Sequence, residues 1–422
     1  MRHSSSNMRI MLVVFGTAGD VFPLIGVGRA LQERGHEVHL ASLPEYQASV
    51  ERAGLTFHVL KGIPGTKDAL DFYHPTRSMR VVAERLLIPA LRPVYELLSL
   101  LDPADWTVIA NAHSYGARIA QEKHGFWLTT CVVTPFSLLS LQRMPILPGI
   151  ACPPWAPMVL RRAFFGVVAR LWDRALAPSV NAFRESLGLG PARNIWYQWC
   201  LSPHRVIGLY PEWFAPKPTD WPAQFVYGGF TVFDQGVSQE FPAELLEPGD
   251  PLVVFAAGSA GQTATAFFQN AITASSGQRW RAVLLTGEGG GWFNTGLPRN
   301  VFRYNYVPMS QLLPLSSLVV HHGGLGTISL ALSAAVPQIV IPFGHDQFDN
   351  AARIEQLGVG CRILKSGNLP LRLRSTIERM LQDPSWSARC RVLAPMAAIE
   401  RSLAIVCEQI EADDSQNKQR LA

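Results

Sequence analysis

Short apolar, β-branched runs that stop at glycine or polar residues and restart as helix-compatible segments constrain this fold more than any other feature. The stretch 306–350 shows the pattern twice. Leu318 to Val320 (LVV) runs into His321 and His322, and Gly323, Gly324, Gly326 and Thr327 then lead into ISLALSAA. That order predicts a strand, a glycine turn and a helix start. First-turn N–H groups of a helix lack an intrahelical acceptor and carry partial positive charge. Glycines let an anion approach them closely, so a phosphate site is the natural use. A second apolar run, QIVIP, ends at His345, Asp346, Gln347 and Asn350. Glycine turns also occur without a ligand, but two successive strand ends of a parallel sheet open on one edge, where such sheets bind ligands. A diphosphate at the first turn and a sugar at the second is a coherent reading.

The same grammar opens the chain. IMLVVF (10–15) predicts a buried parallel strand, followed by Gly16, Thr17, Ala18, Gly19 and Asp20 and a helix from about Phe22 to Arg34, closed by Gly35. EVHLAS, a helix from Tyr46 to Ala53, and LTFHVL continue a doubly wound βαβαβ pattern. The opening turn is not the dinucleotide fingerprint, because Asp20 stands near the place of its last glycine and Pro23 follows. A carboxylate at this point lies on the ligand edge and near a helix N-terminus, which favours its ionised form; a plain helix cap is the competing reading.

With 422 residues the chain exceeds one hydrophobic core, so two domains are expected. The first spans 1–233. A polar, acidic linker covers 234–250, and a fresh strand, PLVVFAAGSAG, begins the second domain at 251–395. Gly258 and Ser259 end that strand, where the Ser259 hydroxyl and N–H suit a phosphate or a helix cap. WTVIAN and LTTCVV predict two more strands of the first domain, with His113 at the end of the former; a lone histidine there is more often structural. From Thr134 to Ala177 leucine, proline and aromatics dominate and acids are almost absent, so prolines leave apolar surface in irregular segments able to line a pocket, with Phe136 and Trp155 as candidates. Arg161, Arg162 and Arg170 flank FFGVV at near-helical spacing, which also fits a surface segment touching anionic lipid.

Charged residues make up only 16%, and a net charge of +5 suits an anionic donor or lipid surface. No arginine-lysine stripe points to nucleic acid. The six cysteines have no CxxC spacing, so neither zinc nor disulfides are expected. The N-terminal apolar run is too short for a signal core, and no window reaches the ~18 apolar residues of a membrane span. A cytoplasmic or peripheral protein is expected.

Tyr306, Pro308, His322, Gly324, Thr327, Asp346 and Gln347 together resemble the nucleotide-sugar signature of family 1 glycosyltransferases, in its bacterial HHGGxGT form. The resemblance implies an α/β GT-B fold: two Rossmann-like doubly wound domains facing a central cleft, with the final segment, 396–422, crossing back to the first domain. It implies an inverting hexosyl transfer in which Asp20, from the bacterial GTxGDVxP pattern, is the base and His322 assists the leaving group. Donor contacts would come from Gly258, Ser259, Tyr306, Val307, His322, Gly324, Gly326, Thr327, Asp346 and Gln347, and acceptor contacts from Thr17, His113, Phe136 and Trp155. A nucleotide-diphosphate sugar is the co-substrate, and no cofactor or metal is expected, since the sequence has no DxD pair. Within the family, GTAGDVFPLIG, GARIAQEKHG, WFAPKPTDWP and GHDQFDNAARIEQLG are similar to the rhamnolipid-forming branch. That branch implies dTDP-L-rhamnose as donor, a 3-(3-hydroxyalkanoyloxy)alkanoate as apolar acceptor and an acyltransferase as pathway partner. UDP-glucose with a sterol or polyketide acceptor is the alternative, and a non-catalytic nucleotide-sugar binder or an epimerase the reading from another class.

Overall fold

A computed structural model describes residues 7–65, 71–74, 77–146, 152–153, 155–234, 241–258, 262–287 and 296–421. The chain forms two compact units, residues 1–233 with 399–422 and residues 234–398.

In the first unit, β1 (Arg9–Val13), α1 (Ala18–Glu33), β2 (Glu37–Ser42), α2 (Gln47–Arg52) and β3 (Thr56–Val59) come first. After α3 (Ser78–Val82) and α4 (Ile88–Ser99), the chain crosses to β4 (Trp106–Asn111), α5 (Tyr115–His124) and β5 (Leu128–Val132). The long α6 (Met158–Ser186) precedes β6 (Arg205–Gly208) and β7 (Phe225–Tyr227). The strands form one parallel sheet in the order β3-β2-β1-β4-β5-β6-β7, with Leu12 opposite Leu40 on one side and Ile109 on the other. Helices cover both faces of such a sheet, so its central strands are shielded on both sides: every residue of β4 and β5 is buried.

The second unit repeats the plan. It comprises β8 (Leu252–Ala256), α7 (Gln262–Ser275), β9 (Arg281–Leu285), β10 (Val301–Tyr304), α8 (Met309–Leu312), β11 (Leu318–His321) and α9 (Leu325–Ser333). There follow β12 (Gln338–Val340), α10 (Gln347–Leu357), β13 (Gly360–Arg362), α11 (Leu369–Gln382) and α12 (Ser385–Leu393). The parallel order is β10-β9-β8-β11-β12-β13, and Val254, Val283, Val319 and Leu312 lie in its core. Both sheets are Rossmann-like, as expected. In each, the strand order reverses once, between β1 and β4 and between β8 and β11, and such switch points open a crevice at the carboxyl ends of the strands.

The last helix, α13 (Ile399–Leu421), belongs to the first unit. Arg34, just after α1, clasps Glu411 with two bonds of 2.7 Å, and Arg205 at the start of β6 meets the buried Asp413 at 2.7 Å. One expectation shifts. α1 begins at Ala18, not near Phe22, because Thr17 and Asp20 form the start of the helix between them.

Candidate active site

At the switch point of the first sheet, the turn from β1 to α1 is built around Asp20. Its Oδ2 accepts hydrogen bonds from the Thr17 N–H (2.8 Å) and the Thr17 hydroxyl (2.9 Å). Among the described residues no hydrogen bond reaches Oδ1. The side chain thus serves the helix start with one oxygen and leaves the other unused. Gly16 makes this possible: its φ is +136°, and a Cβ there would lie 2.5 Å from Oδ2. Burial raises the Asp20 pKa above the ordinary carboxylate value, against the opposing pull of the two Thr17 bonds. The turn itself is braced, since the Tyr46 hydroxyl donates to the Gly16 carbonyl (3.0 Å) and Asn111, at the end of β4, donates to the Phe15 carbonyl (2.9 Å).

His113 follows β4 on the same edge. Its ring stacks on Trp196 (3.8 Å, 23°), which stacks on Trp172 (3.6 Å, 13°). Burial lowers the His113 pKa to about 3, so the ring is neutral at physiological pH. Among the described residues, its Nδ1 and the Trp196 Nε1 are buried without hydrogen-bond partners. Phe136, half-buried, lies in the turn after β5, and Thr17 is committed to Asp20. Thr17, Asp20, His113 and Phe136 therefore share the edge formed by β1, β4 and β5. Trp155 does not: it is 81% exposed ahead of α6.

The second sheet separates its two adjacent histidines. His321 is fully buried, its Nδ1 accepts from the Gly323 N–H (3.1 Å), and its Nε2 therefore carries the hydrogen that bonds Gln338 Oε1 (3.0 Å). It is a brace, held neutral by burial with a pKa of about 3. His322 is only half-buried. A Cβ on Gly258 would sit 2.5 Å from its Cε1 and one on Gly324 2.6 Å from its Nε2, so only glycine at both places lets the ring lie here. Phe343 stacks beside it at 5.9 Å and 28°. Burial lowers the His322 pKa to about 4, with the Ala256 carbonyl opposing.

Gly324 caps α9, which leaves the N–H groups of Leu325, Gly326 and Thr327 without intrahelical acceptors. A Cβ on Gly326 would meet nothing within 4 Å, so the first turn is open to a ligand. Ser259 lies outside the described residues. Beyond β12, His345 takes a left-handed φ of +52°, turning the chain into Asp346 and α10. Asn350 donates to both Asp346 Oδ2 (2.8 Å) and the Gly323 carbonyl (3.0 Å), tying the two loops together. Gln347 spends its Oε1 on the N–H groups of Phe343 (2.7 Å) and Gly344 (3.1 Å), which leaves its Nε2 as the group with which it can meet a sugar. Tyr306 donates its hydroxyl to Asp234 (2.7 Å), whereas the Val307 side chain lies in the core and has only main-chain groups to offer.

A family model described as "Glycosyltransferase family 28 N-terminal domain" matches residues 10–130, and one described as "Erythromycin biosynthesis protein CIII-like, C-terminal domain" matches residues 286–412. The O-mycaminosyltylonolide 6-deoxyallosyltransferase of Streptomyces fradiae is 30% identical over 433 residues, covering 96% of this chain and 97% of its own. The chain belongs to the GT-B glycosyltransferases. The transferase is also 26% identical to the sterol 3-beta-glucosyltransferase UGT80B1 of Arabidopsis thaliana, over 95% of this chain and 67% of that one. Its fold is that of the glycosyltransferase VinC, solved in complex with dTDP: the TM-score is 0.70 at 20% identity, over 98% of this chain and 100% of VinC.

As a member of this family the chain is a hexosyltransferase using a nucleotide sugar, and the reading as a non-catalytic binder falls away. Two residues on the carboxyl edge of the second sheet had no part in the expectations: Asp234 orients Tyr306, and Phe343 packs on His322. Asn350, expected beside the ligand, ties the two loops together. Phe343 stands between the proline and glycine that end QIVIP, where only the fold shows which way its ring turns.

Proposed function

We propose that this transferase moves L-rhamnose from dTDP-L-rhamnose to a hydroxyl of a 3-(3-hydroxyalkanoyloxy)alkanoate, in the manner of the rhamnosyltransferases of rhamnolipid biosynthesis. For the donor, the supporting observations are a relative named as a 6-deoxyallosyltransferase, whose sugar is a 6-deoxyhexose, and a fold neighbour solved with dTDP. L-Rhamnose is likewise a 6-deoxyhexose. For the acceptor, support comes from the almost acid-free, leucine- and aromatic-rich segment 134–177. A lipid acceptor is met at a membrane surface, so the reading includes peripheral contact with the cytoplasmic membrane and an acyltransferase that supplies the acceptor.

The observation that carries the chemistry is the Asp20 carboxylate, anchored through Oδ2 with Oδ1 unengaged. In a single displacement, Oδ1 takes the hydroxyl proton as the acceptor oxygen forms its bond to the anomeric carbon. The bond from that carbon to the diphosphate oxygen breaks on the opposite face, its electron pair leaves with the nucleotide, and the configuration inverts. His322 and the open first-turn N–H groups of α9 stabilise the charge arriving on the diphosphate, with no metal in the step. Asp346 and the Gln347 Nε2 orient the sugar.

A second reading has its own support: the match to a sterol glucosyltransferase over 95% of the chain favours UDP-glucose and a sterol or other polycyclic acceptor. Incubating the purified protein with dTDP-L-rhamnose or UDP-glucose and a panel of hydroxy-lipids, sterols and macrolactones, with products read by mass spectrometry, decides between them. A rhamnosylated hydroxy-lipid is the expected product, and glucosylated sterol alone overturns the reading.

A further inference from the structure

α6 carries much of its apolar surface outward. Val159 (73% exposed), Leu160 (58%), Val167 (54%) and Leu171 (44%) stand in solvent, as does Trp155 (81%) just ahead of the helix, while Phe165, Leu176 and Val180 face the core. At 3.6 residues per turn, positions 159, 160, 163, 167, 170, 171 and 174 fall within an arc of about 120°. Arg170 and Arg174 lie inside that arc, both exposed, and Arg162 flanks it. No aspartate or glutamate occurs from Thr134 to Trp172. The first acid, Asp173, accepts from the Asn194 and Ile195 N–H groups (both 2.9 Å). A hollow of about 580 Å³ opens beside Arg170, Asp173, Arg174 and Asn181, at the end of the stripe.

We infer that this face of α6 docks the protein on a bilayer surface rich in anionic phospholipid. An apolar stripe interleaved with arginines, with an exposed tryptophan at one end, matches the layering of a membrane interface: hydrocarbon below, phosphates above, an aromatic at the boundary. The arginine stems lie along apolar surface while the guanidinium groups reach the headgroups. Charge speaks against a second copy of the chain as occupant. Two such faces packed together would bring like arginines together, and the nearest carboxylate, Asp173, is already engaged by the Asn194 and Ile195 N–H groups. The inference takes its biological sense from the lipid acceptor proposed above and its evidence from α6 alone.

Co-sedimentation of the purified full chain with vesicles, without donor or acceptor, tests it independently of catalysis. The wild type is expected to pellet with phosphatidylcholine–phosphatidylglycerol vesicles, to stay in solution with phosphatidylcholine alone, and to be released by salt. At roughly fivefold per arginine, R170Q/R174Q weakens partitioning by about 25-fold, and V167E/L171E abolishes it. Circular dichroism and the thermal midpoint establish that each variant is folded. The inference is overturned by a wild type that ignores anionic vesicles, by variants that bind as well as it does, or by a dimer in light scattering that R170E dissolves. Product formation on a short-chain soluble acceptor reads the proposed function separately, so either reading can fail alone.

Discussion

Asp20 answers two demands with its two oxygens. One oxygen satisfies donors at the start of α1, as an ordinary capping carboxylate does, and the other takes no bond. The helix cap and the proposed base are therefore the same residue, and the competing readings of the sequence do not exclude each other. For a general base worth about 10²- to 10⁴-fold, Asp20→Asn is expected to lower turnover within that range. The amide oxygen still accepts from Thr17, so nucleotide affinity by calorimetry stays near wild type; unchanged turnover removes Asp20 from the role. Because burial raises its pKa, the acid limb of the rate profile lies above the ~3.9 of an ordinary aspartate. The pair His321 and His322 makes the complementary point about legibility. Identical residues, adjacent in sequence, differ in task because one is the last buried residue of β11 and the other begins the turn. Nothing in the letters HH carries that distinction.

At the scale of elements, most strands were legible because parallel strands buried on both faces read as continuous apolar runs. EVHLAS and WTVIAN coincide with β2 and β4 residue for residue. The start of α1 was misplaced because the bond from Thr17 to Asp20 is a local arrangement that hydrophobic periodicity does not register. The sequence pointed to Gln347 as a sugar ligand, and the structure shows its Oε1 holding the main chain of Phe343, whose ring packs on His322. This linkage from α10 through the β12 turn to the β11 turn was invisible because it runs through main-chain bonds. Phe343→Leu keeps the volume apolar but removes the stacked ring. A weakening of nucleoside-diphosphate binding by about tenfold, the worth of about 1.4 kcal/mol, is expected in calorimetry, with the thermal midpoint little changed. Equal affinity in the variant would mean that the glycines alone hold His322.

Across the whole molecule, histidines shielded from solvent tie stability to acidity. Burial holds His113 and His321 at about 3 and His322 at about 4, against about 6.5 for a free imidazole. Between these values the unfolded chain binds protons that the native chain refuses. Stability therefore rises with pH through this window, is fully present above about 6.5, and is lost as pH falls toward 4. Denaturation at a series of pH values is expected to show net proton uptake on unfolding near pH 5, and a flat profile from 7 to 4 contradicts it.

The return of α13 to the first unit has a consequence for biogenesis. Arg205 and Arg34 find Asp413 and Glu411 only after every residue of the second unit has left the ribosome. The amino-terminal sheet is thus made first and completed last, with the second unit as an insertion inside it. A nascent chain stalled or cleaved within residues 234–398 would leave Arg205 without its buried carboxylate, so quality control has a ready mark of an unfinished molecule.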